Sequence, residues 1–262
     1  MDIFPTELAL GIEMNKTAIL KSENRIDDLA FITYTHSDYS DLWQPSFSNS
    51  LKYFDAKNKY LFTDKINDFK AEDFKCIYYD DKLLYNKRVL NCLEKINEKY
   101  CLFLHEDMIL YSNVDKEKIN YIFEFLQNNS KYKFFRLIKS GINSSIKLQE
   151  NIYELNKQDF LFSITPTIWE TKFLKEVAIQ TPESNIWNFE LNGCRFLYEN
   201  DINGCYWYNN EPKRGSNHYD SNLFPHICSA IFKGKWNMEY KKELDIIFKE
   251  FFIDKNIRGT IF

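Results

Sequence analysis

The sequence predicts an α/β fold: a doubly wound mixed sheet flanked by helices, forming a single domain with a C-terminal helical segment. Three observations predict it. Short runs rich in aromatic and β-branched residues alternate with stretches whose apolar residues recur at helical spacing, four times in series over the first half. One run, Tyr100-Cys101-Leu102-Phe103-Leu104, is apolar without polar alternation, as a strand covered by helices on both faces requires. The length, 262 residues with 44% hydrophobic and 27% charged, suits one such domain, with or without a small appendage.

Residues 1–28 carry weak signals and are expected to form an extension. Ala30-Phe31-Ile32-Thr33-Tyr34-Thr35 reads as the first strand, turning at His36-Ser37-Asp38. Trp43, Phe47, Leu51 and Phe54 then share one face at helical spacing. Tyr60–Thr63 and Cys76–Tyr79 are further strands, and Tyr85, Val89, Cys92, Leu93 and Ile96 form a helix stripe. After Tyr100–Leu104, Asp115 is placed to cap a helix that buries Ile119, Ile122, Phe123 and Leu126. The second half is less regular. Lys133–Ile138 and Phe160–Ile164 look like strands. Trp169, Phe173 and Val177 suggest a helix ending before Pro182, with another after Ser184. Residues 203–234 are rich in turns, and Tyr240, Leu244, Ile247, Phe248 and Phe251 make a closing amphipathic helix. The expected division is 1–28, a main domain 29–236 (29–140 and 141–236), and a helix and tail 237–262.

Composition excludes several classes. The seven glycines leave none between Gly11 and Gly141, so the first strand-helix turns cannot form a GxGxxG or Walker phosphate loop, both of which need glycine against the phosphate. The same gap weighs against a pyrophosphorylase. A net charge of −4 without a long basic run argues against nucleic acid as a partner. No apolar stretch is long enough to span a bilayer, and the N-terminus lacks a secretion signal. Six scattered cysteines without metal-binding spacing fit a reducing cytoplasmic compartment. The aromatic content of 17% accompanies abundant Lys, Asn and Ile, the composition an AT-rich genome produces, and is no sign of base or sugar stacking.

In open α/β sheets ligands gather at the carboxyl ends of the strands. His105-Glu106-Asp107 stands at such an end, and hard divalent cations take oxygen ligands, commonly one or two carboxylates together with substrate phosphates. Asp107 is the first choice of metal ligand and Glu106 the second; the bland alternative is a solvated acidic turn. The segment YCLFLHEDMIL, Tyr100 to Leu110, resembles the Y-x-L-x-x-x-E-D stretch of GT-A glycosyltransferases, in which a DxD-like motif ends a central strand. The likeness extends to Phe31–Asp38, to FRLIKSG ending at Gly141 and to Glu183–Gly193, and covers roughly residues 29–236 as a pattern. A strict DxD would place aspartate where this chain has His105, leaving ligation to Asp107.

The resemblance implies a GT-A-like fold and a nucleotide-diphosphate sugar as donor, with Mn²⁺ or Mg²⁺ assisting. It implies a general base near the start of a helix beside the acceptor: Glu190, with Glu183 as the alternative, unless both are surface acids. It also implies a closing segment with a metal-ligating histidine and a diphosphate-binding lysine. His226 and Lys235 match in type at longer spacing, His218 has a weaker claim, and Arg214 is a further phosphate partner. Donor contacts are expected from Thr33, Thr35, His36 and Asp38, from Asp64, and from Arg88 on the helix after Asp80-Asp81. The implied reaction is inverting transfer to a glycan or lipid-linked acceptor in capsule or lipopolysaccharide synthesis, by a cytoplasmic enzyme at the inner face of the membrane. The alternatives are a nucleotidyl- or phosphosugar-processing enzyme on a similar fold, and a non-catalytic sugar-binding partner.

Overall fold

The computed structural model describes residues 28–54, 56–66, 69–141, 146–155, 160–215 and 218–262. The expected extension lies outside the described residues except for Asp28. From there the predicted alternation is present. Strand β1 (Leu29–Tyr34) is buried along its whole length, as its unbroken apolar character requires. It lies between β2 (Asn58–Thr63) and β4 (Tyr100–His105), parallel to both, and β2 is parallel to β3 (Lys75–Tyr78). Helices α1 (Trp43–Tyr53), α2 (Tyr85–Leu93) and α3 (Lys116–Asn128) make the crossovers. The Asp115 side chain accepts from the Lys118 N–H at the start of α3, the cap its position suggested.

The sheet continues through five more strands: β5 (Phe134–Arg136), β6 (Lys147–Gln149), β7 (Ile152–Leu155), β8 (Thr167–Glu170) and β9 (Gly204–Trp207). Among the described residues the order is β3-β2-β1-β4-β8-β5-β9-β7-β6, nine strands. Strand β8 is antiparallel to both β4 and β5, which makes the sheet mixed, while β5 and β9 run in the direction of β1–β4. Helices α4 (Thr171–Gln180) and α5 (Ile186–Glu199) lie between β8 and β9 in sequence. A second, smaller core surrounds Trp236, with Leu42, Ile109, Ile138, Ile227, Tyr240, Leu244 and Ile247. It joins a small sheet of β12 (Ile231–Phe232), β13 (Lys235–Asn237) and β14 (Thr260–Ile261) to helix α6 (Lys241–Glu250). A two-stranded ribbon, β10 (Lys213–Arg214) with β11 (His218–Tyr219), and a last helical turn α7 (Lys255–Arg258) complete the chain. All six cysteines are free thiols, and among the described residues no helix is long and apolar enough to cross a membrane.

Two expected elements differ. Trp169 belongs to β8, opposite Cys101 of β4 and Phe134 of β5, and the helix begins at Thr171. Its helical spacing to Phe173 arises because a strand and the helix that follows face the same core, where their rings stack at 6.5 Å. Phe160–Ile164 is not a strand. Phe160 has φ 61°, which an extended strand does not accommodate, and the backbone of this segment is taken up by side chains. Strands β6, β7 and β9 carry no pattern long enough to be read from the sequence.

Candidate functional site

Because β1, β2, β3 and β4 are parallel, the residues that follow them meet at one edge of the sheet. The Thr35 N–H donates to the Phe62 carbonyl, Tyr79 N–H to Thr63 and Glu106 N–H to Tyr34. These bonds carry the parallel pairing just past the strand ends and set Thr35-His36, Asp64 and Glu106-Asp107 side by side. On this edge Asp64 accepts from the Ser37 N–H at 2.8 Å and the Ser37 hydroxyl at 2.6 Å. Burial alone would raise its pKa, but these bonds and nearby His36 hold it below the ordinary value. His36 accepts the Asp38 N–H at Nδ1, so its neutral form carries the proton on Nε2, which faces Asp81 at 3.1 Å. Thr35 receives the Trp43 indole N–H on its hydroxyl and the Tyr79 phenol on its carbonyl. Arg88 sits over the Tyr79 ring and bonds the Asp81 carboxylate and carbonyl and the Leu83 carbonyl. Thr33 lies deeper in β1, its hydroxyl buried without a partner, and the Asp38 side chain points outward at 82% exposure.

At the end of β4, His105 stacks on Tyr34 and is hydrogen-bonded to the Tyr85 phenol at 2.7 Å. Burial pushes its pKa down to about 4, so it stays neutral. Glu106 is 6% exposed. Burial and the adjacent Asp107 raise its pKa well above the carboxylate range, against the pull of the Thr35 hydroxyl and the Arg258 guanidinium. Burial likewise pushes Asp107 up to about 6, although its carboxylate accepts from the Ser229 hydroxyl at 2.9 Å.

Strand β5 ends at the same edge, and β8, running the other way, begins there. Glu190 lies in the second turn of α5 and accepts the Ile164 N–H, just ahead of β8, at 2.6 Å. Burial raises its pKa, opposed by that N–H, by Arg136 and by the Ser163 hydroxyl. The Tyr85 phenol, anchored on α2, lies within electrostatic reach of both Glu190 and Glu106. Glu106 after β4 and Glu190 on α5 thus share the Tyr85 phenol as an electrostatic neighbour. The segment carrying Ile164 is held from both sides. Arg136 donates to the Phe160 carbonyl at 2.7 Å and the Leu161 carbonyl at 3.3 Å, and Cys194 bonds the backbone of Phe162. Gly193 is required where Phe162 meets α5, since a Cβ there would stand 2.4 Å from the ring. On α2, the buried Asn86 bonds the Thr181 and Pro182 carbonyls and the Ser184 N–H, fixing the entry to α5.

The remaining predicted residues lie on other elements. Glu183 is exposed, ahead of α5. Arg214 is paired with Asp220 at 3.0 Å and Glu243 at 2.8 Å, over the Tyr240 ring. Lys235 is exposed on β13. His226 pairs with Leu110, while the Ala230 N–H bonds the Asp107 carbonyl. The two metal candidates therefore lie on facing segments of this strip, three residues out of register. His226 donates from Nδ1 to the Phe224 carbonyl, and its buried Nε2 has no partner among the described residues; burial lowers its pKa to about 4. His218 is half-buried on β11, and burial lowers its pKa as well.

Among the described residues, no three His, Cys, Asp or Glu side chains converge as a metal cage. The Glu106–Asp107 pair still fits Mn²⁺ or Mg²⁺, which are held by one or two carboxylates and complete their shell with water and phosphate oxygens. Two adjacent carboxylates, both held above their ordinary pKa, would be relieved by such a charge. Sequence reasoning missed Arg136, Tyr85, Ser229 and Arg258. Only Arg136 left a signal, a charge inside the apolar run Phe134-Phe135-Arg136-Leu137-Ile138.

The fold is a mixed α/β sheet flanked by helices. Residues 1–349 of TarS from S. aureus are similar to this chain, with a TM-score of 0.49 and 12% identity, covering 88% of this chain and 68% of that one. The same TarS fragment in complex with UDP-GlcNAc gives 0.46 and 14%, covering 88% and 69%. A CMP:2-keto-3-deoxy-manno-octonic acid synthetase complexed with CTP gives 0.47 and 11%, covering 68% and 88%. No family model and no curated protein sequence matches the chain.

Proposed function

We propose that this protein is a glycosyltransferase that moves a sugar from a nucleoside-diphosphate donor to a hydroxyl of a glycan or lipid-linked acceptor, with inversion. One observation carries the reading: Glu106, just past the end of a central strand and next to Asp107, and Glu190 from α5 both lie within electrostatic reach of the Tyr85 phenol. The donor half is 29–140, where His36, Asp64, Arg88 and the strand ends lie, and the acceptor half is 141–236 around Glu190.

In this reading the donor's diphosphate lies against Glu106 and Asp107. These residues would hold Mn²⁺ or Mg²⁺, which when bound supplies positive charge for the leaving diphosphate. Glu190 takes the acceptor's hydroxyl proton as the oxygen attacks the anomeric carbon. The bond from that carbon to the diphosphate breaks, and its electron pair leaves with the nucleotide. Half-burial suits Glu190 to act as the base, because a raised pKa makes it a stronger proton acceptor than a solvated carboxylate, and the Ile164 N–H fixes its direction. Six free thiols accord with a reducing, cytoplasmic setting.

The test is a panel of UDP-, GDP-, dTDP- and CMP-sugars with Mn²⁺, measuring nucleotide release and the anomeric configuration of the product. Release of nucleoside diphosphate from one donor, with inversion, is expected. Release of pyrophosphate from a nucleoside triphosphate and a sugar phosphate would instead mark a nucleotidyltransferase. No turnover on any donor, with binding retained, would mark a sugar-binding module.

A further inference from the structure

Beyond the ends of β5 and β9 the chain gathers tyrosines around one lysine. The Lys139 ammonium lies 4.2 Å from the centre of the Tyr208 ring and 4.6 Å from that of Tyr219, and the two rings meet edge to face at 5.4 Å. Tyr153 of β7 packs on Tyr208 at 6.2 Å and stacks on Tyr206 of β9 at 5.3 Å. Register assembles the cluster. Tyr206 pairs with both Tyr153 and Arg136, and Tyr208, two residues on, faces the same side of the sheet. The Tyr208 N–H donates to the Asn151 carbonyl at 3.0 Å and the Tyr219 N–H to the Lys139 carbonyl at 3.2 Å, so backbone fixes both walls. Tyr206 is buried, whereas Lys139, Tyr153, Tyr208 and Tyr219 are half-buried and open to a ligand.

A ring face attracts an ammonium without taking up its three N–H donors. Among the described residues every other cation over a ring faces one ring, and Lys139 faces two. Lys52, Lys118 and Lys131 also reach a carboxylate from their rings, on Glu250, Asp115 and Glu154, but Lys139 has no ion-pair partner among the described residues. The acids beside the cluster are committed elsewhere. Buried Glu211 accepts the Asn209 and Asn222 N–H groups, and Asp220 pairs with Arg214 at 3.0 Å. The cluster is also joined to the proposed base by contacts. The Ser140 hydroxyl accepts from Arg136 at 3.2 Å, Arg136 donates to the Phe160 carbonyl at 2.7 Å, and that segment presents the Ile164 N–H to Glu190 at 2.6 Å. Because β5 and β9 run with β4, the lysine stands on the edge that carries Glu106 and Asp107, two to three strand spacings along it, on the order of 10–15 Å.

We infer that Lys139, walled by Tyr208 and Tyr219, binds an anionic unit of the acceptor, a sugar bearing a carboxylate or a phosphate. The ammonium supplies charge and free donors, and the tyrosines border the sugar ring with apolar surface. Held between two rings, the lysine stem loses little freedom when the ligand arrives. The inference rests on the proposed transfer to a glycan acceptor and names the chemical class of that acceptor.

The experiment probes an array of carboxylate-bearing, phosphate-bearing and neutral oligosaccharides with the labelled whole chain, then titrates the glycans it retains. Acidic glycans should be held in preference to neutral ones, and added salt should weaken them. Lys139→Met, which keeps an apolar stem against the rings, should lose about tenfold in affinity for the acidic glycan. Tyr208→Ala should lose as much, and Tyr208→Phe, which keeps the ring, should lose little. Each variant is checked by thermal melting, and its affinity for nucleoside diphosphate should match the wild type. The carboxylate and phosphate arms tell which group supplies the charge. Neutral glycans held as tightly as acidic ones, no acidic glycan held, or wild-type affinity in Lys139→Met overturns the inference. Where nucleotide-sugar turnover accompanies any of those results, the proposed reaction stands without it. Acidic binding that depends on Lys139, with no turnover on any donor, keeps this site and removes the reaction.

Discussion

The two halves of the sheet treat the polar groups at their ends differently. In the parallel half, β3-β2-β1-β4, Asp64 rests on Ser37, Thr35 on Trp43 and Tyr79, and His36 on Asp81, each partner lying one element away on the same edge. In the other half, the charge at the end of β5 is Arg136, wholly buried; among the described residues no carboxylate is in contact with it and its Nε has no partner. Burial lowers its pKa to about 10. Its other donors go to the Ser140 hydroxyl and to the carbonyls of Phe160 and Leu161. The parallel half presents an edge that register alone aligns. The other half uses a buried cation to hold an irregular segment, and that segment orients Glu190.

If this division is right, the carboxylates of the two halves separate in their kinetics. Glu190→Gln should lower kcat about 10²–10⁴-fold while leaving nucleotide affinity unchanged. Asp107→Asn should lower both turnover and the Mn²⁺-dependent affinity for nucleoside diphosphate. Steady-state kinetics beside direct titration reads the difference. Glu190→Gln weakening the nucleotide as much as Asp107→Asn would place both residues on the donor and break the comparison.

The halves should also differ in stability. Arg136→Met leaves buried carbonyls and a hydroxyl without donors, at about 1–3 kcal/mol for each unsatisfied group, for a total of about 3–5 kcal/mol. Asp64→Asn, on the half-open edge, keeps an acceptor for Ser37 and should cost about 1 kcal/mol. Urea denaturation compares them directly, and equal losses would show that Arg136 is not the brace the contacts describe.

The contrast also decides what the sequence revealed. Parallel strands covered on both faces leave continuous apolar runs, so Tyr100–Leu104 and the acidic end it delivers are legible from residue type alone. Helix stripes such as Tyr85, Val89, Cys92 and Leu93 are legible for the same reason. In the other half the strands are three or four residues long, too short for periodicity to distinguish from loops. Leu161–Ile164 is buried, yet the backbone bonds of Phe160–Ile164 go to Arg136, Cys194 and Glu190 instead of a neighbouring strand. Partners that lie far along the chain, as Arg258 and Ser229 lie from β1 and β4, leave no local trace.

The pH dependence of stability sharpens the proposed donor side. Asp107 is held near pKa 6, above the carboxylate value, so in the metal-free protein its ionisation opposes folding. That contribution to stability is full below pH about 4 and lost as pH rises to about 6. Asp107→Asn removes the ionisation and keeps an acceptor for Ser229. The variant should therefore gain on the wild type across that interval, by about 1–3 kcal/mol at pH 7, while losing activity. Buried His105 and His226, both lowered to about 4, act with the opposite sign and cost both proteins stability as pH falls from about 6.5. The difference between the two proteins isolates the carboxylate. Adding Mn²⁺ should close the gap by stabilising the wild type alone, and a gap unaffected by Mn²⁺ would argue against the cation at this pair.

The smallest structural effect belongs to the proposed acceptor side. Trp187 is 70% exposed and Leu191 67% exposed, one turn apart on α5 and flanking Glu190 in sequence. A side chain this open contributes little to the fold, so Trp187→Ala should shift stability by no more than about 0.5 kcal/mol. An indole beside the base offers an apolar face to a sugar ring, so the same change should raise the acceptor KM several-fold with donor KM unchanged. An unchanged acceptor KM would move the acceptor off α5, and a raised donor KM would mean that the two halves do not divide the substrates between them.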